Sequence, residues 1–457
     1  MIVRPIVAHL PTTKYLNINW PVIACDQYSA QPAYWHALRT TIGAAPSTLK
    51  LVVPEADLLR YSPAELAAAE DECAREAQRY IDDGTLRALP CGYILVKRLT
   101  RDIERWGLVA GVDLEAYDYR PGNNRPIRST EETIQERIAP RSAIRAQSPI
   151  ESPHILLLAD DPDDRIFAPV RTAADAGELE LIYDLPLYTE SAAGDLVSGR
   201  TIGLTDGETS ITGWLIPAEH TLAAEIERAL QLLPRWQSDG FMLAVGDGNH
   251  SLAAAQAHWF RLRDTLGERA PQTARYAAVE ITNLHDPGLR FLPIHRLVKD
   301  IPPFPAYKKF NAGALEIVRK WGWELEIGPT VPLSKPGDLP QLTQDDTSVR
   351  LLQILPRAYA LWTLRNTGVA LHVEIVDRFI AELSEPEQVD YIHGDEALLS
   401  LVNSTEEPAV CGFALPPFAR KSFFADLATH GVFPRKSFSL GEAEEKRYYL
   451  ETRRIDI

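Results

Sequence analysis

Apolar positions along this chain follow two rhythms, and the changes between them outline the elements. Residues 63–84, PAELAAAEDECAREAQRYIDDG, predict a helix opened by proline, filled by Ala and Glu, and closed by glycine. AEHTLAAEIERALQLL (218–233) predicts an amphipathic helix. LAAAQAHWFRLRDTL (252–266) predicts another, with Leu252, Ala255, Trp259, Leu262 and Leu266 on one apolar face. Strand-like runs lie at 91–100, 106–119, 179–188, 211–217 and 274–284. HILLLAD (154–160) and FMLAV (241–245) are continuous apolar runs, the pattern of strands buried on both faces; the first leaves through the acidic turn DDPDD. Residues 1–50 mix short apolar pieces with Pro and Asn, as loops joining short strands do, and PGNNRP (121–126) reads as a turn. Between 302 and 345 proline is dense, which predicts a linker or a loop-rich insertion. From 211 to 284 the order is strand, helix, strand, helix, strand, so the fold class expected is α/β with mixed α+β layers. Three regions follow: an N-terminal α/β region at 1–120, a core region at 121–300 and a C-terminal region at 301–457 packed on the core.

Composition narrows the function classes. The 457 residues are 45% hydrophobic and 24% charged, enough to bury a sizeable core. Lys+Arg 47 against Asp+Glu 63 leaves a net charge of −16, and a surface of that sign repels nucleic-acid backbones. No nucleic acid partner is expected. No stretch approaches a membrane span and the N-terminus lacks a long apolar core of a secretory signal, so the chain is read as cytoplasmic, without a membrane partner. Cys25, Cys73, Cys91 and Cys411 show neither paired nor metal-ligand spacing and are read as free thiols. A homodimer is the ordinary expectation for a soluble enzyme.

Candidate chemistry concentrates at AVGDGNHSLAAA (244–255), a glycine-rich turn between an apolar strand and a helix. A helix start exposes backbone N–H groups and a positive partial charge, and glycines let an anion approach the main chain. Gly246, Gly248, Asn249 and Ser251 are therefore candidate phosphate-binding residues, with Asp247 placed to orient Mg²⁺ or act as a base, and His250 to stabilise charge on a transferred group. The turn is not a Walker A loop, lacking Gly-Lys-Ser/Thr, and Asn249 or Asp247 can equally be a plain helix cap. Elsewhere Arg128, Arg137, Arg141 and Arg145, with Glu131 among them, form a run suited to carboxylate or phosphate recognition, or else a solvated charged face. Arg137, Arg141 and Arg145 share one face if helical, although Pro140 should interrupt that helix. Arg435, Lys436 and Ser437 can add donors to an anion site, or form a basic turn before a charged C-terminal helix. Asp26 and Gln27 follow a short apolar run, where α/β proteins place ligand contacts; Cys25 beside them is read as a buried small residue. His295 and Arg296 sit in an apolar setting and are further substrate-binding candidates, or satisfied core residues. The scattered histidines show no zinc spacing, and no G-x-S-x-G elbow is present.

NWPVIACDQYSAQPAYW, IRSTEET with the arginines after it, PHILLLADDP, VGDGNHS, PIHRLV, DYIHG and FPRKSFSLGEAEEKRYYLE together resemble the bacterial DUF1015 family, from about residue 15 to 455. The family's turn is distantly similar to that of the ParB and sulfiredoxin-like superfamily, which includes free-serine kinases. The resemblance implies a ParB/sulfiredoxin-like core with large insertions and a C-terminal α/β extension. It also implies nucleotide binding at 246–251, with ATP or ADP and Mg²⁺, and phosphoryl transfer to a small hydroxylated metabolite such as serine, or nucleotide sensing without turnover. Here Asn249 and Ser251 stand where those relatives carry histidine and arginine, so Arg435 and Lys436 are the expected substitutes.

Overall fold

The structure, a computed structural model, describes residues 1–17, 19–28, 32–58, 60–100, 102–187, 209–299, 306–333, 339–342, 348–368, 371–385, 388–404, 409–441 and 445–456. The chain forms two compact units. One comprises Met1–Leu289, Phe424–Val432 and Ala443–Ile457; the other Arg290–Phe423 and Phe433–Glu442. The mixed α/β architecture expected from the sequence is the one found.

The first unit is built on a mixed sheet of β1 (Val3–Arg4), β2 (Gly92–Thr100), β3 (Ile103–Asp113), β4 (Tyr117–Asp118), β5 (Ile127–Arg128), β6 (Leu156–Ala159), β7 (Glu180–Pro186), β8 (Thr209–Pro217), β9 (Leu243–Asp247) and β10 (Tyr276–Asn283). Their order is β7-β8-β2-β3-β10-β6-β9-β5-β4, with β1 beside β3. Segments 1–120 and 121–300, separate regions in the sequence expectation, thus interleave in one sheet. Both faces are covered, which is why its strands read as continuous apolar runs. Leu95, Leu108, Ala110 and Leu157 pack into one core with α3 (Thr221–Gln231) and α4 (Asn249–Leu266). Their alternating neighbours Ile94, Val96 and Val109 pack into the other with Ala77 and Tyr80 of α1 (Pro63–Asp82). Ser62 and Glu65 close a capping box at the start of α1, and Pro63 occupies its first turn.

Two expectations need correction. Pro140 does not break the arginine segment: α2 runs unbroken over Gln135–Gln147 with Pro140 inside it. The ring is exposed, and packing of α2 against α4 holds the helix together despite the one missing N–H. The proline-dense 302–345 is not simply a linker. It contains α5 (Ala306–Lys320) and a strand, Glu324–Pro332; 301–305, 334–338 and 343–347 lie outside the described residues. That strand lies at the edge of the second unit's sheet, and Pro329 falls in a register shift between Ile327 and Thr330, where a missing donor is tolerated.

The second unit has its own sheet and a core that includes Trp362, Phe379 and Phe413. His295 and Arg296 lie within it and are fully engaged. His295 Nε2 is 2.8 Å from Asp395 Oδ1 and its Nδ1 accepts from Leu415 N, while Arg296 makes a two-pronged bond to Asp377.

Deep in the first unit Glu280 is shared by two arginines. Arg98 donates through Nε (3.0 Å) and Nη2 (2.6 Å), and Arg105 through Nη2 (3.2 Å). Burial alone pushes the Glu280 carboxyl up, but the two guanidinium groups outweigh it and hold it below the ordinary range. A depressed native pKa contributes stability above the unfolded value, near 4.3, that is lost as pH falls through the native value. Glu280→Gln strands two buried cations and should cost about 3–5 kcal/mol in denaturant unfolding at pH 7. The variant should also lose less stability than the native chain on acidification.

Candidate functional site

The turn at 246–251 is shaped by the strand it leaves. β9 runs antiparallel to β6 with a register shift between Val245 and Asp247, so Gly246 is the extra residue of a bulge. Gly248 adopts φ +84° as the N-cap of α4, and a Cβ there would lie 3.1 Å from Ile155 Cα. Glycine is required twice over, for the left-handed backbone and for the close passage of the chain entering β6. The first bond of α4 runs from Leu252 N to Gly248 O.

Antiparallel pairing of β6 and β9 brings the residue before one strand beside the residues after the other. His154 therefore meets the start of α4, its Nε2 3.2 Å from Ser251 Oγ. A third strand of chain completes the site. Residues 446–455 run extended: Ala24 N donates to Lys446 O, Tyr448 N to Val22 O and Tyr449 N to Pro153 O. Side chains of an extended segment alternate, so Lys446 and Tyr448 share one side and Arg447 and Tyr449 the other. Lys446 Nζ lies 3.1 Å from Asp247 Oδ2, and the Tyr448 ring packs edge-on against His154 with centroids 5.1 Å apart.

The ionisation states follow from this crowding. Burial disfavours the Lys446 ammonium, but Asp247 and Asp26 more than compensate and raise its pKa. Asp26 is pushed up by burial, yet His154, Lys446, a hydrogen bond from Gln27 and Arg141 hold it below the ordinary range. His154 is lowered, first by burial and then by Arg141 and Lys446, against the opposing pull of Asp26 and Asp247. The site thus holds a charged lysine, a charged aspartate and a neutral imidazole, which can accept a proton. The Cys25 thiol, pushed to about 11 by burial and by Asp26, stays protonated.

Of these groups Cys25, His154, Ser251 and Tyr448 border a pocket of about 140 Å³; Asp26, Lys446 and Asp247 are not in its lining. Its polar lining includes Arg141, Arg145, Glu151, His154, Ser251 and Tyr448, and its apolar lining Leu51, Val53, Leu58, Ile144 and Ile155. Arg141 pairs with Glu55 at 3.3 Å and Arg145 with Glu151 at 2.5 Å.

Asp26, Gln27, Arg141, Asp247 and Ser251, each a candidate from the sequence, come together here. Others of the turn face elsewhere. Asn249 is buried, its Oδ1 accepting from Ser129 Oγ (2.6 Å) and Thr130 N (3.1 Å), so it ties the turn to β5's exit. His250, expected to steady a transferred group, accepts from Ile134 N at the start of α2 through Nε2. Arg128 lies over the Phe241 ring at 4.2 Å and donates to Arg125 O. Glu131 contributes to the field at Lys446. Arg435, Lys436 and Ser437 belong to the second unit, where Ser437 Oγ donates to Pro434 O. The lysine that meets Asp247 is Lys446, and the charged C-terminal helix considered for its segment is replaced among the described residues by extended chain. His154, Lys446 and Tyr448 escaped the sequence reading. The available signals were a histidine abutting a buried strand and the alternation within KRYYLE.

Among the described residues no helix is long and apolar enough to cross a membrane. A family model described as a protein of unknown function, DUF1015, matches residues 3–316. No curated protein matches the chain. Among solved structures, a conserved hypothetical protein from Pyrococcus furiosus is 11% identical with a TM-score of 0.32, over 74% of this chain and 97% of that one. A mutant free serine kinase in complex with AMP is 10% identical with a TM-score of 0.35, over 72% and 86% of the two chains. One in complex with ADP is 10% identical with a TM-score of 0.34, over 74% and 89%.

Because Lys446 lowers the His154 pKa and Asp26 raises it, the two removals should shift it in opposite directions. An NMR titration of the His154 ring should show a higher pKa in Lys446→Met and a lower one in Asp26→Asn. Shifts of the same sign would contradict the arrangement described.

Proposed function

The chain belongs to the DUF1015 family of proteins of unknown function, and from the pocket its own residues build we propose that it is a small-molecule phosphotransferase. In this reading it binds a nucleotide, ATP or ADP, and moves a phosphoryl group to a small hydroxylated metabolite such as serine. One observation carries the reading: a neutral imidazole, His154, within hydrogen-bond distance of Ser251 at the start of an 18-residue helix, with the Lys446 ammonium paired to Asp247 of the same turn.

The step is a simple displacement. The acceptor hydroxyl enters beside Ser251 and passes its proton to His154 Nε2 as its oxygen bonds to phosphorus. The bond from that phosphorus to the nucleotide oxygen breaks, and the electron pair stays on the leaving phosphate. The positive end of α4 and Lys446 face the charge that accumulates on the transferred group. Size supports a small acceptor, for the pocket is only about 140 Å³. Clefts that enclose drug-sized ligands span about 300–1,000 Å³, so the nucleotide's base and ribose lie outside this pocket.

Magnesium that enters with a nucleotide needs only one or two carboxylates beside the phosphates, and Asp247 is the one this turn offers. Among the described residues no group of three or more His, Cys, Asp or Glu converges, and Asp247 already engages Gly248 N through Oδ1 and Lys446 through Oδ2. Lys446 supplies there the positive charge that a divalent ion would bring to this carboxylate.

Purified protein should be thermally stabilised by ATP or ADP in a concentration-dependent manner. It should also exchange phosphate between nucleotide and a pool of small hydroxylated metabolites. His154→Gln should lower transfer by about 100- to 10,000-fold while nucleotide stabilisation persists. Stabilisation without exchange would overturn transfer and leave a nucleotide-sensing protein.

A further inference from the structure

Among the hydroxyls and thiols that line the pocket, those of Cys25, Ser148, Ser152, Ser251 and Tyr448, only that of Ser251 lies against a base. Its Oγ is 3.2 Å from His154 Nε2. Ser148 Oγ instead donates to Ile150 O at 2.6 Å, a bond that ties down backbone. Burial keeps the Cys25 thiol protonated at about 11 and pushes the Tyr448 phenol well above its ordinary value. Ser251 does no comparable structural work: among the described residues its Oγ has no partner but His154. Both members of the pair are half-buried, while Ile155 and Leu252 beside them are buried. That remaining exposure, and the place of both in the lining, put the pair on the wall of the cavity.

A hydroxyl within hydrogen-bond reach of a neutral imidazole, with a third group steadying the imidazole, is the arrangement that activates a serine. Here the Tyr448 ring fixes His154 edge-on, and Asp26 and Asp247 favour the imidazolium that forms when it takes a proton. Ser251 lies in the first turn of α4, where the helix dipole favours negative charge such as an added phosphate. A metabolite's hydroxyl would have to displace Ser251 to reach His154 Nε2 directly. The chain's own hydroxyl is already there.

We propose that Ser251 is a catalytic nucleophile, which takes the phosphoryl group from the nucleotide as phosphoserine before the metabolite receives it. This rests on the phosphotransferase reading of the site and changes its route from one displacement to two. In the first, Ser251 Oγ bonds to phosphorus as its proton moves to His154 Nε2. The phosphorus–oxygen bond to the nucleotide breaks, and its electron pair leaves with the shortened nucleotide. His154 then releases the proton to water. In the second, the metabolite's hydroxyl gives its proton to His154 as its oxygen bonds to phosphorus. The bond from phosphorus to Ser251 Oγ breaks, and His154 returns the proton to that oxygen.

The test incubates the full chain with ATP and labelled ADP, and with ADP and labelled AMP, with no acceptor present. A phosphoserine route passes label between the two nucleotides without an acceptor, which a direct displacement cannot do. With label on the terminal phosphate instead, the protein should carry an acid-stable phosphoserine that mass spectrometry places at Ser251. A pool of small hydroxylated metabolites should discharge it. Ser251→Ala should lower acceptor-free exchange on the order of 1,000-fold or more, and His154→Gln by about 100- to 10,000-fold. Should Ser251→Ala not fold, exchange and the mapped label on the native chain decide. Transfer to metabolites without acceptor-free exchange would overturn the phosphoserine and leave direct displacement standing. Exchange undiminished in Ser251→Ala, or an acid-labile label on His154, would likewise remove Ser251 as the nucleophile. Absence of transfer, exchange and label together would overturn both this inference and the phosphotransferase reading.

Discussion

An ammonium ion taken out of water must find negative charge, and Lys446 finds it only because residues 446–455 lie extended across the first unit. That segment pairs with His9, with Val22 and Ala24, and with Pro149 and Pro153. The same ladder that satisfies its backbone places Lys446 against Asp247 and Asp26 and stands Tyr448 beside His154. Its opposite side closes the core: Arg98 lies 5.4 Å from the Tyr449 ring centroid, and Glu451 accepts from Tyr183 at 2.6 Å. Displacing this strap would at once expose apolar surface and leave two carboxylates without their cation. Structure and candidate chemistry are therefore held by one element.

Buried arginines outnumbering their carboxylates recur in this unit. Glu280 serves Arg98 and Arg105, and Glu151 serves Arg145 and Arg453. A shared carboxylate holds two guanidinium groups in defined positions but leaves positive potential behind. The space beside each differs. Around Glu280 the chain closes to the size of one water, and the charge serves the scaffold. Around Glu151 a pocket opens, with His154 on its rim.

Much of the first unit's secondary structure was legible in the residues. The helix at 63–82 declared itself through Pro63, its alanines and glutamates and the glycine after it, and HILLL and FMLAV declared buried strands because a sheet covered on both faces demands apolar residues at successive positions. The turn at 246–251 was legible as a special turn, since Gly248 answers a backbone angle that few other residues adopt. Which of its side chains face the pocket was not. Asn249, His250 and Ser251 are consecutive on a helix, pointing in directions about 100° apart, and only packing decides that Ser251 meets His154 while the others tie down neighbouring segments. The misreading of Pro140 has a similar origin: a local rule against proline in helices was overruled by burial of α2 on α4.

By itself, then, the sequence determined the character of the strands and helices and the existence of a glycine-capped helix start, because periodicity, caps and glycine angles act over a few neighbouring residues. It determined family membership as well. Only the tertiary structure decided the site's composition. His154 and Ser251 are far apart in the chain and meet because β6 and β9 are antiparallel neighbours; Asp26 and Lys446 come from nearly opposite ends of it and meet through a short backbone ladder. Strand order and register arise from burial summed over the whole sheet, and no local pattern encodes that sum. Arg145 shows the same division: the residue was visible as one arginine in a run, and its pairing with the Glu151 carboxylate that Arg453 shares exists only where those segments are assembled.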